Sequence, residues 1–169
     1  MPKRHQLSFD PIAEAQRQWE VHGWAMEAPS MAVVTSIMRL QQVFLSWADS
    51  ALRPFDLTFA RYEVLMLLSF SRRGSMPLGK IGERLQVNAA SVTNAVDRLE
   101  SQGLVKKRQN PDDGRGTLAA LTSSGRRLAQ RATVVMNADV FSGVGLREPE
   151  LRSLFGTLAK LRLAAGDFS

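Results

Sequence analysis

Ser91, Thr93, Asn94 and Arg98 alternate with Val92, Val96 and Leu99 along one short stretch of this chain. At 3.6 residues per turn the three apolar side chains fall on one face of a helix and the polar ones on the other. The polar set suits recognition by hydrogen bonds rather than bond breaking. An Asn amide donates and accepts at once and can pair bidentately with adenine, while Ser and Thr hydroxyls serve either base type. Arg98 suits guanine or a phosphate. Alone, such a face reads as ordinary solvated surface. The next segment of the chain changes that reading. Lys106, Lys107 and Arg108 precede a Pro111–Asp112–Asp113–Gly114 turn, and Arg115 stands beyond it between two glycines. An Arg free to extend from a hairpin tip fits the narrow, electronegative minor groove of A·T-rich DNA. Asp113 is close enough in sequence to orient that guanidinium through a charge-assisted bond. The bland alternative is an exposed hairpin with a weak surface ion pair.

These side chains need a scaffold, and the sequence supplies one between Met76 and Gly125. The pattern predicts a helix over Pro77–Leu85, a polar turn, a helix over Asn88–Gln102 and a stop at Gly103. A strand over Leu104–Arg108, a turn over Asn110–Gly116 and a returning strand over Thr117–Leu121 come next. Helix, turn, helix and basic two-stranded wing in that order place one helix in a DNA major groove. In the first helix Leu78, Ile81 and Leu85 hold the core, and Lys80 and Arg84 are left outward for phosphate. Asn88 is a good N-cap for the second, whose positive end also suits phosphate. The candidate DNA contacts are thus Lys80, Arg84, Asn88, Ser91, Thr93, Asn94, Arg98, Lys106, Arg108, Asp113 and Arg115.

The flanking segments are helical and unusually apolar. Asp10 can cap a helix that opens on Pro11 and carries Trp19, with Gly23 as its stop and 25–30 as a linker. Ser30 is a candidate cap for a long helix in which Val33, Ile37, Leu40, Phe44 and Trp47 recur at helical spacing. Arg53–Pro54 ends it. Thr58 can cap a helix with Tyr62, Leu65 and Met66 on one side. Beyond the wing, helices are expected from Ser123 to Phe141 and from Arg147 to Ala164. The expected fold is mainly α with a small β-wing, a winged helix-turn-helix flanked by N- and C-terminal dimerisation helices. The expected division is a basic tail at 1–9, N-terminal helices at 10–56, the DNA-reading unit at 57–122 and C-terminal helices at 123–169. The outer helices are too apolar for a monomer alone, which points to a two-fold pair, although packing within one chain is the alternative.

Composition agrees with a polyanionic partner. The 169 residues carry a formal net charge of +6 and an isoelectric point near 10.5. There is no cysteine, so disulfides and thiolate switches are excluded, and two histidines in the N-terminal region make a dedicated metal sensor a poor fit. No cofactor is expected. No run reaches the length of a membrane span, so the expected compartment is the cytoplasm. An enzyme is disfavoured by the lack of G-x-S-x-G, P-loop and H-E-x-x-H motifs. Nonspecific, architectural DNA binding and a winged protein-interaction module are the competing classes.

Three segments carry a family resemblance. They are Ile81–Gly82–Glu83–Arg84–Leu85, the run from Ser91 to Glu100, and Gly103–Leu104–Val105. The run from Asp113 to Gly125 resembles a D-x-R…L-T-x-x-G signature. In this order they resemble the MarR-type bacterial transcription regulators, over most of the chain from about Met31. The resemblance implies a homodimer on a pseudo-palindromic double-stranded DNA operator, most often as a repressor, with Asp113 and Arg115 working at the wing. Many relatives have a second Arg where this chain has Gly114, which rests the minor-groove contact on Arg115. It also implies release by a small aromatic or phenolic effector, for which Trp19, Arg39, Tyr62, Glu63 and Met66 are the candidate binding groups, with Trp24 and Trp47 nearby. The extra N-terminal helix with Trp19, and Glu63, resemble the urate-responsive branch. An Arg that this branch uses in its recognition helix is Ala95 here, which argues against urate itself. The absence of cysteine excludes the thiol-oxidation mode of the peroxide-sensing branch.

Overall fold

The computed structural model describes residues 7–110 and 116–169. Among them run seven α-helices and three strands. These are α1 (Pro11–Val21), α2 (Ala28–Leu52), α3 (Phe59–Phe70), β1 (Ser75–Pro77), α4 (Leu78–Leu85), α5 (Ala89–Ser101), β2 (Val105–Gln109), β3 (Thr117–Leu121), α6 (Ser123–Met136) and α7 (Glu148–Ala164).

The element boundaries have local causes. Asp10 accepts the Ile12 amide at 2.9 Å and caps α1, and Gly23 takes a left-handed φ of +93° just past its end. The long helix α2 starts at Ala28, ahead of the expected cap Ser30, with no side-chain cap. Pro29 sits in its first turn, where a missing N–H costs nothing because those amides lack intrahelical acceptors. The helix ends at Leu52 and passes into a 3-10 turn, Arg53–Phe55, that contains Pro54. Thr58 and Thr122 cap α3 and α6, accepting the amides of Arg61 at 3.4 Å and Gly125 at 3.0 Å. The expected continuous helix to Phe141 stops at Met136 and widens into a π turn, Asn137–Phe141, that still buries Val140.

Strand β1 has no counterpart in the sequence pattern. It joins the wing hairpin to make an antiparallel sheet of order β1-β3-β2, with Met76 opposite Ala119 and Lys107 opposite Ala119 on the other side. One continuous core joins the elements. Leu52 from α2, Leu65 and Leu68 from α3, Ile81 from α4, Val96 and Leu99 from α5, and Met136 from α6 are all fully buried in it. Burying each such side chain contributes about 1.5–3 kcal/mol before conformational entropy is set against it. The core therefore clamps α5 from behind and leaves its polar face outward.

Two elements bury little. Val33, Val34, Ile37, Met38 and Leu40 of α2 are exposed, and α7 has no buried residue at all.

Candidate nucleic-acid interface

Helix α4 meets α5 across a tight turn. Gln86 and Val87 make that turn, and Gln86 adopts a left-handed φ of +54°. A Cβ on Gly82 would stand 3.0 Å from the Val87 carbonyl oxygen and 3.4 Å from Val92 Cγ2. The small residue lets the two helices approach closely and sets how far α5 projects.

The projected face of α5 bears the expected groups. Ser91, Thr93, Asn94, Asp97 and Arg98 are exposed or partly so, while Val92, Val96 and Leu99 are buried. Their availability differs. Asn88 Oδ1 accepts the Ser91 amide at 2.8 Å, so its acceptor is engaged in capping and its amide nitrogen is left for outward work. Thr93 Oγ1 donates to the Ala89 carbonyl at 2.9 Å, leaving that hydroxyl mainly an acceptor. The Asn94 amide and the Arg98 guanidinium have no protein partner among the described residues. Lys80 and Arg84 are exposed on α4, next to this face in the chain.

The wing sorts its three cations by strand alternation. Lys106 and Arg108 share the outer face of β2. Lys107 points the other way, with Val105, towards α5. Its ammonium lies 2.7 Å from Asp97 Oδ1 and 3.3 Å from Glu100 Oε2, and its amide donates to Glu100 Oε1 at 2.7 Å. Lys107 is therefore a fastening between wing and helix. The backbone bond from Lys107 holds the Glu100 carboxyl below the usual carboxylate range, and Asp97 foremost raises the Lys107 ammonium above its usual value. Asp113 and Arg115 at the wing tip lie outside the described residues.

A groove of about 550 Å³ runs beside α5, between it and the N-terminus of α3. Ser91, Asn94 and Arg98 form one wall and Thr58, Ala60 and Arg61 the other. The α3 wall has no sequence signal, because nothing in the spacing places residue 61 beside residue 98.

The five candidate effector groups do not converge as expected. Trp19 packs edge-on against Trp24 with ring centroids 5.4 Å apart. Arg39 is exposed on α2 and bonds Gln42 at 3.2 Å. Tyr62 is buried with its hydroxyl 3.0 Å from Thr133 Oγ1, and Met66 Sδ lies 3.2 Å from the same oxygen. Thr133 has one proton and a shorter acceptor in the Ala129 carbonyl at 2.8 Å, so Tyr62 is the donor to Thr133. Tyr62 and Met66 thus meet at a helix contact rather than at an open cleft. Glu63 is half-buried, and burial raises its carboxyl pKa. An apolar cavity of about 320 Å³ is lined by other residues, among them Phe44, Ala48, Phe59, Met136 and Phe141. Its lining draws on α2, α3, the end of α6 and the π turn, a combination that no single periodicity encodes.

Among the described residues no group of three or more His, Cys, Asp and Glu side chains could hold a metal, and no helix is long and apolar enough to cross a membrane.

Known proteins share both the sequence and this geometry. The MarR family model matches residues 57–117, from the end of the α2–α3 connection to the start of β3. The chain is 34% identical over 117 residues to the HTH-type transcriptional regulator YhbI of Bacillus subtilis, covering 67% of this chain and 75% of the relative. Sco5413, a MarR family transcriptional regulator from Streptomyces coelicolor, is 50% identical, with a TM-score of 0.76 over 83% of this chain and 98% of the other. A mutant of MarR from Escherichia coli, solved in complex with operator DNA, shares the fold at 24% identity and a TM-score of 0.72, over 80% of this chain and 96% of that one. With a capped, outward-facing α5, a basic wing and these relatives, the chain belongs to the MarR family of DNA-binding transcriptional regulators and is not an enzyme.

Proposed function

We propose that this regulator binds a pseudo-palindromic operator as a homodimer and acts as a repressor. The observation that carries the reading is the polar face of α5. Asn94 and Arg98 project without partners among the described residues, from a helix whose other side is locked into the core. Groups left unsatisfied and rigidly held are suited to DNA, Asn94 to a base edge and Arg98 to guanine or a phosphate, and Lys80, Arg84, Lys106 and Arg108 are placed for phosphates. The operator-bound relative uses the same fold on DNA. Asp113 and Arg115 keep their place at the minor groove in this reading.

Dimerisation has its own support. Val33, Ile37 and Leu40 on α2 and Leu151, Leu154 and Phe155 on α7 are 39–69% exposed. Apolar faces of that extent on the helices of 10–56 and 123–169 suit a two-fold interface. Two copies of α5 would then meet half-sites about one turn apart, roughly 34 Å.

The apolar cavity among α2, α3 and the π turn supports release by a small aromatic effector, in place of a cleft built from Trp19, Arg39, Tyr62, Glu63 and Met66. It adjoins both the outer helices and α3 of the reading unit, so an occupant that favours one spacing of the two α5 helices would shift operator affinity.

The test is retention of genomic fragments by the purified protein near physiological salt, followed by sequencing. Recovery of an inverted repeat supports the proposal. Uniform retention would favour nonspecific binding, and no retention would favour a protein-interaction module.

A further inference from the structure

We infer that the groove between α3 and α5 is a clamp for one DNA backbone phosphate, closed by Arg61 and Arg98. This rests on the DNA-binding reading and adds α3 to the contact surface. Two guanidinium groups from different helices line the groove. Arg98 has no protein partner among the described residues. Arg61 gives only its Nε to Thr58 Oγ1, at 3.4 Å, which leaves both terminal nitrogens available among the described residues. The opening turn of α3 supplies a third donor. Asp49 Oδ1 takes the Phe59 amide at 2.8 Å and Thr58 Oγ1 takes the Arg61 amide, and Ala60 between them lines the groove. That end of a helix also carries partial positive charge. One acid, Asp56, also lines the groove and sets a single negative charge against the two guanidinium groups; Gln102 Nε2 donates to its Oδ2 at 2.7 Å and to its carbonyl at 3.0 Å.

Position selects the ligand. Ser91 and Asn94, on the face assigned to base edges, line the same groove. A duplex seated on that face brings its sugar-phosphate chain along the flank of α5. A planar guanidinium from each wall can take a phosphodiester oxygen bidentately, which fixes the register of α5 without reading sequence.

The experiment compares wild type, Arg61→Gln and Arg61→Lys on the selected operator and on an unrelated duplex, over a salt series. Neutral methylphosphonate is also placed at each operator phosphate in turn, with wild-type protein and with Arg61→Gln. A clamp makes the Arg61→Gln salt slope shallower by about 0.9 on both duplexes, while Arg61→Lys keeps a slope near that of wild type with intermediate affinity. It also gives one phosphate whose neutralisation weakens wild type more than it weakens Arg61→Gln, in which Arg98 alone still faces that phosphate. Unchanged affinity and slope in Arg61→Gln would overturn the clamp, as would a loss that alters base preference. Should Arg61→Gln fail a melting check, the methylphosphonate scan on wild type decides, and a flat scan along the flank of α5 overturns the proposal. If inorganic phosphate shifts the Ala60 amide resonance while DNA binding ignores Arg61, the groove is a free-anion site and the clamp is wrong. Wild type that binds no duplex at any salt removes the DNA-binding reading itself, a result distinct from all of these.

Discussion

Lys107 and Glu100 meet twice, once through the Lys107 amide at 2.7 Å from Oε1 and once through its ammonium at 3.3 Å from Oε2. A strand of the wing and the last turn of the recognition helix are thereby fixed to one another. In the proposed mode of binding, wing and helix contact DNA together, and this fastening sets their relative position.

The fastening has a pH window. Bonding to Lys107 lowers the Glu100 pKa from an ordinary value of 4.5, so its contribution is present above 4.5 and is lost as pH falls through the lower folded value. The Lys107 pKa is raised from 10.5, so its contribution is full below 10.5 and disappears as pH rises through the folded value. The contact is expected to hold across the neutral range and to open in acid. The Lys107 amide resonance should report it, titrating below pH 4.5 in wild type and already displaced at neutral pH in Glu100→Gln. A wild-type resonance that shows no acid titration would remove this account.

Gly125 leaves no room for a side chain. A Cβ there would lie 2.1 Å from the Leu104 carbonyl oxygen and 2.9 Å from Leu121 Cδ1. The backbone oxygen cannot move away without breaking its bond from the Thr122 amide. Gly125→Ala should lower stability by about 1–3 kcal/mol or more in urea unfolding. At Gly156 on α7 an added Cβ meets nothing within 4 Å in the chain. Gly156→Ala should stabilise an isolated helix by about 0.8–1 kcal/mol, so a loss instead would place Gly156 in a close contact between copies.

Much of the reading unit is legible in the sequence, because its elements are amphipathic and punctuated. Asn88 and Thr58 act as the caps expected of them, and Val92, Val96 and Leu99 form the expected buried stripe. Strand β1 escapes because three residues carry no readable alternation. The role of Lys107 escapes because its acids sit seven and ten residues away on another element. That the candidate effector groups do not line one cavity escapes for a related reason. Aromatic residues at helical spacing do not say whether they face a cavity or another helix, and Tyr62 faces α6.

Asn94 tests the reading face directly. Its amide has no partner among the described residues and is held by a capped helix. If it pairs bidentately with adenine, Asn94→Ala should reduce discrimination at one base pair by about 1–3 kcal/mol, seen as relaxed preference there in a randomised-operator selection. An equal loss on every sequence would assign Asn94 to the backbone.

The Tyr62–Thr133 bond joins the reading unit to α6. Tyr62→Phe keeps the ring in the core and removes one donor, while Thr133 retains its bond to the Ala129 carbonyl. No buried donor is stranded, so the stability cost should be about 0.5–1.5 kcal/mol rather than the larger cost of an orphaned group. Urea unfolding of Tyr62→Phe reads it directly. A much larger loss would mean that the hydroxyl also orders neighbours such as Met66.

The exposed apolar faces make a prediction about assembly. Ile37 and Leu154 are 39% and 43% exposed and take no part in the core. A charge at either should leave the single-chain fold intact yet be intolerable in a desolvated interface. Sedimentation of the wild type at micromolar concentration should give twice 18.7 kDa, and Ile37→Glu or Leu154→Glu should give 18.7 kDa with unchanged circular dichroism. Operator affinity should fall with the dimer, because one reading head keeps its phosphate and base contacts but loses the linked second half-site. Wild type sedimenting at 18.7 kDa would detach these faces from dimerisation. An inverted repeat recovered from the genome would then have to be explained by two monomers binding independently.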